Sequence, residues 1–263
     1  MKWGTYVIMN KTNFERMQNM TLELINVTGG YTSVPVIKNV TFKVDSGELT
    51  GLIGLNGAGK STTIKHIIGF MLPFSGKITI QQRELKDNPE QFRQSFAFVP
   101  ESPILYEELT LREHLDVTMM AYNLSPEEGM EKAMRYIKAF RLAEKLDWFP
   151  AYFSKGMKQK VMLVCAFMVD APVYIIDEPF LGLDPLGIHT FLEIVREKRD
   201  QGAAILMSTH VLASAEKECD NFVLLHNGEV KVKGTMEDLQ KEMKMPGATL
   251  DELYIQLTKE ESL

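Results

Sequence analysis

Two segments of this chain carry residue types that handle phosphate. The first is Gly54-Leu55-Asn56-Gly57-Ala58-Gly59-Lys60-Ser61, followed by Thr62. Its glycines let the backbone close tightly around a ligand. The successive N–H groups, together with the start of a helix, favour negative charge. At this spacing Lys60 reaches the β- and γ-phosphates of a nucleoside triphosphate, and the Ser61 hydroxyl suits Mg²⁺. The second segment is Val173-Tyr-Ile-Ile176, an apolar run that ends in Asp177-Glu178-Pro179. An acid at the end of a buried strand can hold Mg²⁺ through water, and an acid beside it can orient or deprotonate an attacking water. Acidic turns after core strands are common, so the pair gains its meaning from the phosphate loop.

Both segments need strands and helices that place them. Leu49–Ile53 is a short apolar run that reads as a buried strand leading into the loop, and Ser61–Ile68 reads as the helix that leaves it. Leu22–Val27, Val34–Ile37, Val40–Val44, Ile78–Ile80 and Phe96–Val99 also read as β structure. From about residue 109 to 170 the period turns helical. Leu111, Leu115, Met119 and Met120 are expected on one helix face, and Ala133, Ile137, Phe140 and Ala143 on another. Strands return at Val173–Ile176, Ala203–Met207 and Phe222–Leu225, with Asn227-Gly228 as a hairpin turn into Glu229–Lys233. Leu250, Leu253, Tyr254 and Leu257 form the stripe of a last helix. The sum is one α/β body with a helical insertion.

Composition narrows the partners. The chain has 263 residues, enough for one or two domains at roughly 150 residues each. Lys and Arg number 29 against 35 for Asp and Glu, a formal net charge of −6, which argues against a general nucleic-acid-binding protein. The longest apolar run, Val161–Val169, falls far short of the roughly 20 residues a membrane helix needs. The two cysteines, Cys165 and Cys219, suggest a reducing compartment, and neither has a second ligand at metal-binding spacing. A cytoplasmic location is expected.

Further segments make the chain recognisable. Phe153-Ser154-Lys155-Gly156-Met157-Lys158-Gln159-Lys160 lies between the two phosphate-handling motifs, Leu181-Gly182-Leu183-Asp184-Pro185 follows the acidic pair, and Ser208-Thr209-His210 closes a strand. In this order the motifs resemble the ATP-binding subunits of ABC transporters, and the wording around Ser154 and Glu178 is similar to their Ecs-type bacterial exporter group. The resemblance implies a P-loop NTPase fold: an ABC cassette with a RecA-like α/β core, an antiparallel β subdomain and an inserted α-helical subdomain. Residues 1–19 are polar and without clear periodicity, and read as a flexible extension or as residues upstream of a true start at Met20. The resemblance implies the ATPase domain over 20–235 with its helical subdomain at about 91–170, and a helical tail over 236–263. ATP and Mg²⁺ are the implied cofactors. Gly54, Asn56, Gly57, Ala58, Gly59, Lys60, Ser61 and Thr62 would cradle the phosphates. Asp177, Ser61 and Glu101 would attend the metal, Glu178 would act on water, and His210 would contact the γ-phosphate.

Four roles rest on the resemblance alone. Tyr31 would stack on adenine in preference to serving as an ordinary turn tyrosine. Ser154 and Gly156 would cap the γ-phosphate held by a second copy, although Ser154 by itself reads as a simple helix N-cap. Asp184 would link two sites across the dimer, or serve as a solvated turn acid. The apolar segment Ser102–Tyr106 would dock a separate integral-membrane permease. A head-to-tail homodimer on the inner face of the cell membrane, exporting small hydrophobic peptides and binding no nucleic acid, is the implied assembly. A soluble ABC ATPase and a nucleotide-sensing scaffold without turnover are the alternatives. The chain departs from the usual Leu-Ser-Gly-Gly-Gln signature at Phe153, Lys155 and Met157, and has Glu101 where most of the family has Gln.

Overall fold

Strands β3 (Leu49–Ile53), β6 (Val173–Asp177) and β7 (Ala204–Thr209) have every residue buried, the pattern of parallel strands covered on both faces. The structure, a computed structural model, describes residues 21–260. The extension expected over residues 1–19 therefore lies outside the described residues. The three strands sit centrally in a six-stranded sheet of order β5-β6-β7-β3-β8-β9, with β5 at Phe96–Val99, β8 at Asn221–His226 and β9 at Glu229–Gly234. All neighbours pair in parallel except β8 and β9, which form an antiparallel hairpin.

A second sheet, antiparallel and of order β2-β1-β4, is built from β1 (Leu22–Gly29), β2 (Ile37–Val44) and β4 (Ser75–Ile80). Alternation along the parallel strands sorts the core into two layers. Leu52, Val173, Ile175, Ala204 and Leu206 meet Leu22, Leu24, Phe42 and Val44 of the antiparallel sheet, along with Ile64 and Ile67 of α1 (Lys60–Ile67). Ala97, Val99, Tyr174, Ile176, Ile205 and Met207 face the other way. There they pack on α3 (Leu111–Ala121), α4 (Pro126–Ala139), α5 (Lys155–Phe167) and α6 (Pro185–Asp200). Each buried Leu, Ile or Phe contributes roughly 1.5–3 kcal/mol.

The stretch from 91 to 170 holds the C-terminal part of α2 (Pro89–Gln94), then β5 within the main sheet, then the helices α3 to α5. Beyond residue 235, α8 (Met236–Glu242) and α9 (Leu250–Glu260) join α7 (Leu212–Glu218) over a third apolar cluster that includes Phe222 and Leu224 of β8. Leu250, Leu253, Tyr254 and Leu257 are all buried in it, as their spacing predicts.

Three expectations need correction. Val34–Val36 is an irregular loop, with Val34 exposed, and β2 begins only at Ile37. Pro35 has no N–H to give a ladder, which favours a loop there. Met120 is 70% exposed, because nine residues at 100° each put it half a turn from Leu111. Ala143 leaves the α4 stripe because the helix ends at Ala139 and Arg141 takes a left-handed φ of 60°; the neighbouring Leu142 is buried instead.

Candidate functional site

Parallel pairing brings the chemistry-bearing segments together. Asp177 lies opposite Ser208, and Ile53 opposite Thr209. The phosphate loop, the acidic pair and His210 therefore leave the C-terminal ends of three adjacent strands, where ligands bind in open α/β sheets. An open cavity of ≈ 520 Å³ lies above them. Tyr31, Asn56, Gly57, Gly59, Lys60, Ser61, Thr62, Glu101, Glu178 and His210, all expected at the site, line it.

The loop owes its shape to its glycines. Gly57 and Gly59 have φ of 85° and 109°, a region open to glycine but strained for other residues. A Cβ at Gly54 would lie 2.7 Å from the Leu225 carbonyl, so only glycine lets the loop rest on β8. Ala58 holds it from the other side: its N–H donates to the Leu55 carbonyl at 3.1 Å, and its carbonyl accepts from Gly228 N–H at 3.0 Å. Gly54 and Ala58 thus shape the loop from beneath.

Lys60 is buried, and its ammonium donates to the Gly54 carbonyl at 2.7 Å. It also lies 3.5 Å from a Glu178 carboxylate oxygen. The other Glu178 oxygen meets His210 Nδ1 at 2.8 Å and accepts the His210 backbone N–H at 3.3 Å. A buried carboxylate is held here between an ammonium and an imidazole. Glu178 itself has φ of 46°, a left-handed conformation that costs a non-glycine residue about 1–3 kcal/mol. Its N–H is secured by the Ser208 carbonyl and hydroxyl, each at 3.2 Å.

The Ser208 hydroxyl donates in turn to Asp177. Burial holds the Asp177 carboxyl above the usual carboxylate range; the Ser208 bond opposes this, while the charges of Glu101 and Glu178 add to it. Ser208→Ala is expected to lower stability by about 1–3 kcal/mol, because it leaves a buried carboxyl and a strained backbone N–H short of a partner. Urea denaturation checks this; an unchanged midpoint contradicts it.

Tyr31 is 59% exposed, and its hydroxyl accepts from Thr62 Oγ1 at 3.4 Å and Lys65 Nζ at 3.2 Å. The Thr62 bond comes first among the causes that pull its phenol below the ordinary range. Its ring face has Lys65 at 5.0 Å, a cation–π distance.

Ser154, Gly156 and Asp184 are not part of this cavity lining. Ser154 is the exposed N-cap of α5, accepting Met157 N–H at 3.3 Å. A Cβ on Gly156 would fall 2.4 Å from the Gly182 carbonyl, so the start of α5 lies directly against the 181–185 loop. Asp184 caps α6 and pairs with Lys160 of α5 at 2.8 Å. The Lys160 bond, then the bond from Gly187 N–H, holds its carboxyl below the usual range. These two motifs form one unit on the surface of the same chain.

Sequence reasoning missed three groups that support the loop or the acids: the Ser208 hydroxyl, the Leu225 carbonyl and Tyr254, whose hydroxyl accepts the Leu55 N–H at 2.8 Å. The strand-end place of Ser208 was a visible signal. Nothing local marks Tyr254.

A phosphate loop at the C-terminal edge of a parallel sheet, facing an acidic pair on the strand two places away, defines an α/β protein of the nucleoside-triphosphate-binding class. The ABC transporter family description matches residues 37–181. The chain is 54% identical over 241 residues to the ABC-type transporter ATP-binding protein EcsA of Bacillus subtilis, covering 92% of this chain and 98% of that one. The Nod factor export ATP-binding protein I of Rhizobium meliloti is 33% identical over 216 residues, 82% of this chain and 64% of that one. A solved ATP-binding subunit of an ABC transporter superposes with a TM-score of 0.88 at 58% identity, covering 90% of this chain and 99% of that chain. This chain belongs to the ABC transporter family, as one of its ATP-binding subunits, and its fold is the ABC ATPase cassette. Such subunits are ATPases as a class, and in transporters they generally dimerise and pair with membrane permeases. Among the described residues no helix is long and apolar enough to cross a membrane.

Proposed function

We propose that this chain hydrolyses ATP to drive export through a separate integral-membrane permease, on whose cytoplasmic face it sits. The observation that carries the reading is the Glu178 carboxylate placed between Lys60 and His210 at the floor of the phosphate-loop cavity. In this role Lys60 offsets charge on the transferring phosphoryl group, Glu178 orients or deprotonates water, and His210 meets the γ-phosphate. Asn56, Gly57, Ala58, Gly59, Ser61 and Thr62 give the loop and helix start that hold the phosphates. Tyr31, exposed at the cavity wall, offers a ring for adenine.

The residues present fit Mg²⁺. Ser61, Glu101 and Asp177 are hard oxygen donors, and the charges of Glu101 and Glu178, which add to burial in raising the Asp177 carboxyl, are ones a cation would offset. Mg²⁺ ordinarily takes one or two carboxylates plus substrate phosphates and waters, not a full protein cage. When bound it would neutralise charge on the β- and γ-phosphates.

Ser154 and Gly156 sit at an exposed helix start on this chain's surface, where they can meet the γ-phosphate of a second copy. Asp184, joined to the same helix through Lys160, would report on that meeting. Head-to-tail closure on ATP and opening after hydrolysis would then be the output. The permease contact is assigned to the segment after Glu101. Ile104 and Tyr106 are 72% and 61% exposed. Tyr106 N–H donates to His114 on α3, and the Trp148 carbonyl accepts the first N–H of the same helix, so this segment and the exposed Trp148 are both tied to the start of α3.

Export is favoured by the wording near Ser154 and Glu178 and by the export named for the Rhizobium meliloti relative. Small hydrophobic peptides are the proposed cargo, by resemblance to the Ecs-type group. The test is to purify the tagged chain from membranes in mild detergent. A polytopic membrane protein is expected to accompany it, and Ile104→Asp with Tyr106→Asp to release it while ATP binding persists. Recovery from the soluble fraction alone, with no membrane subunit, would defeat the exporter reading.

A further inference from the structure

We propose that Tyr254, on the C-terminal helix α9, is a positioning residue for the phosphate loop, and that nucleotide affinity depends on its hydroxyl. The proposal rests on the loop being the ATP site. The Tyr254 hydroxyl accepts the Leu55 N–H at 2.8 Å and donates to the Leu225 carbonyl at 3.3 Å. It therefore ties the loop to β8 at the place where Gly54 packs on that same carbonyl.

Leu55 needs this tie. Its side chain is 55% exposed, so packing does little to fix it, and its backbone must be held by hydrogen bonds. Its carbonyl receives Ala58 N–H, and its N–H has the Tyr254 hydroxyl. Tyr254 is 3% exposed and well fixed itself. Leu250, Leu253 and Leu257 bury the same face of α9, the His226 ring stands edge-on to it at 6.4 Å, and the Leu250 N–H is held by Glu216 of α7 at 2.8 Å. The helix is a fixed bracket that reaches the phosphate loop through the Tyr254 hydroxyl. Without the hydroxyl, a partly buried N–H loses its partner, and the loop spends less time in the shape that binds phosphate. Apparent affinity falls by that fraction.

The test is Tyr254→Phe in the full chain, with Mg²⁺-ATP titrated calorimetrically and turnover measured as phosphate release. Phe keeps the ring packing and removes only the hydroxyl. ATP is expected to bind about 3–10-fold more weakly, the span one lost hydrogen bond commands. KM should rise with it while kcat stays within about twofold, since the groups around Glu178 are untouched. Hydrogen exchange at the Leu55 amide should accelerate, a readout that needs no turnover. Leu257→Ala is the control, because it loosens the same helix without touching the loop. It is expected to lower the thermal midpoint and leave ATP affinity unchanged. Affinity and KM within twofold of the parent in Tyr254→Phe would overturn the proposal, as would equal weakening in Leu257→Ala. If the unaltered chain bound no ATP, the ATP reading would fall and this proposal with it; binding that the variant does not alter overturns this proposal alone.

Discussion

Glu178→Gln is expected to cut ATP turnover by about 10²–10⁴-fold, the range a positioned general base contributes, while ATP still binds. Gln has the shape of Glu and can keep a contact to His210 and to Lys60, which lie 2.8 Å and 3.5 Å from the two carboxylate oxygens. It cannot take a proton from water. It also removes one negative charge from the floor of a cavity that must accept a triphosphate, so affinity should hold or improve. ATP-bound dimers should therefore accumulate, visible as a shift to twice the mass in size-exclusion chromatography with Mg²⁺-ATP. Phosphate release within tenfold of the parent would remove Glu178 from the role of base.

Lys60→Ala is expected to weaken ATP binding by about 10–100-fold and to lower turnover further. The first figure is what loss of a charged hydrogen bond worth roughly 1.5–3 kcal/mol implies. The second follows because a cation aimed at developing charge contributes more in the transition state than in the ground state. The cleanest readout is thermal. ATP at 100 times its Kd stabilises a binding protein by about 2.7 kcal/mol, and at the same ATP concentration that rise should fall to about 0.4–1.4 kcal/mol in the variant. The nucleotide-free midpoint should move less, since Glu178 keeps His210 as a partner when the ammonium is gone. An ATP-induced rise equal to the parent's would contradict the assignment of Lys60.

The chemistry was readable in the sequence where it depends on neighbours along the chain. Gly54 to Ser61 carry the residue types a phosphate cradle needs, and the left-handed φ of Gly57 and Gly59 is one that glycine permits. The fully apolar runs at β3, β6 and β7 are legible for a similar reason: a strand covered on both faces must be apolar throughout. Helix faces were legible only while the period was respected. Met120 is apolar like its neighbours, yet lies on the far side of α3, and Arg141 ends α4 before Ala143 can join its stripe.

Sequence alone determined that this chain carries a phosphate loop, an acidic pair at a strand end and a spaced set of motifs in the order of one family. Tertiary structure alone decided what each of these touches. The pairing of Asp177 with Ser208 needs β6 and β7 to run side by side, and the chain separates those residues by a whole helix. The tie between Lys160 and Asp184, the closeness of Gly156 to Gly182 and the Tyr254 hydroxyl beneath Leu55 arise in the same way. Spacing along a chain fixes geometry only over a turn, a helix or a strand. Contacts between residues far apart in sequence are fixed by which strands pair and which apolar faces bury one another, and those choices belong to the whole core at once.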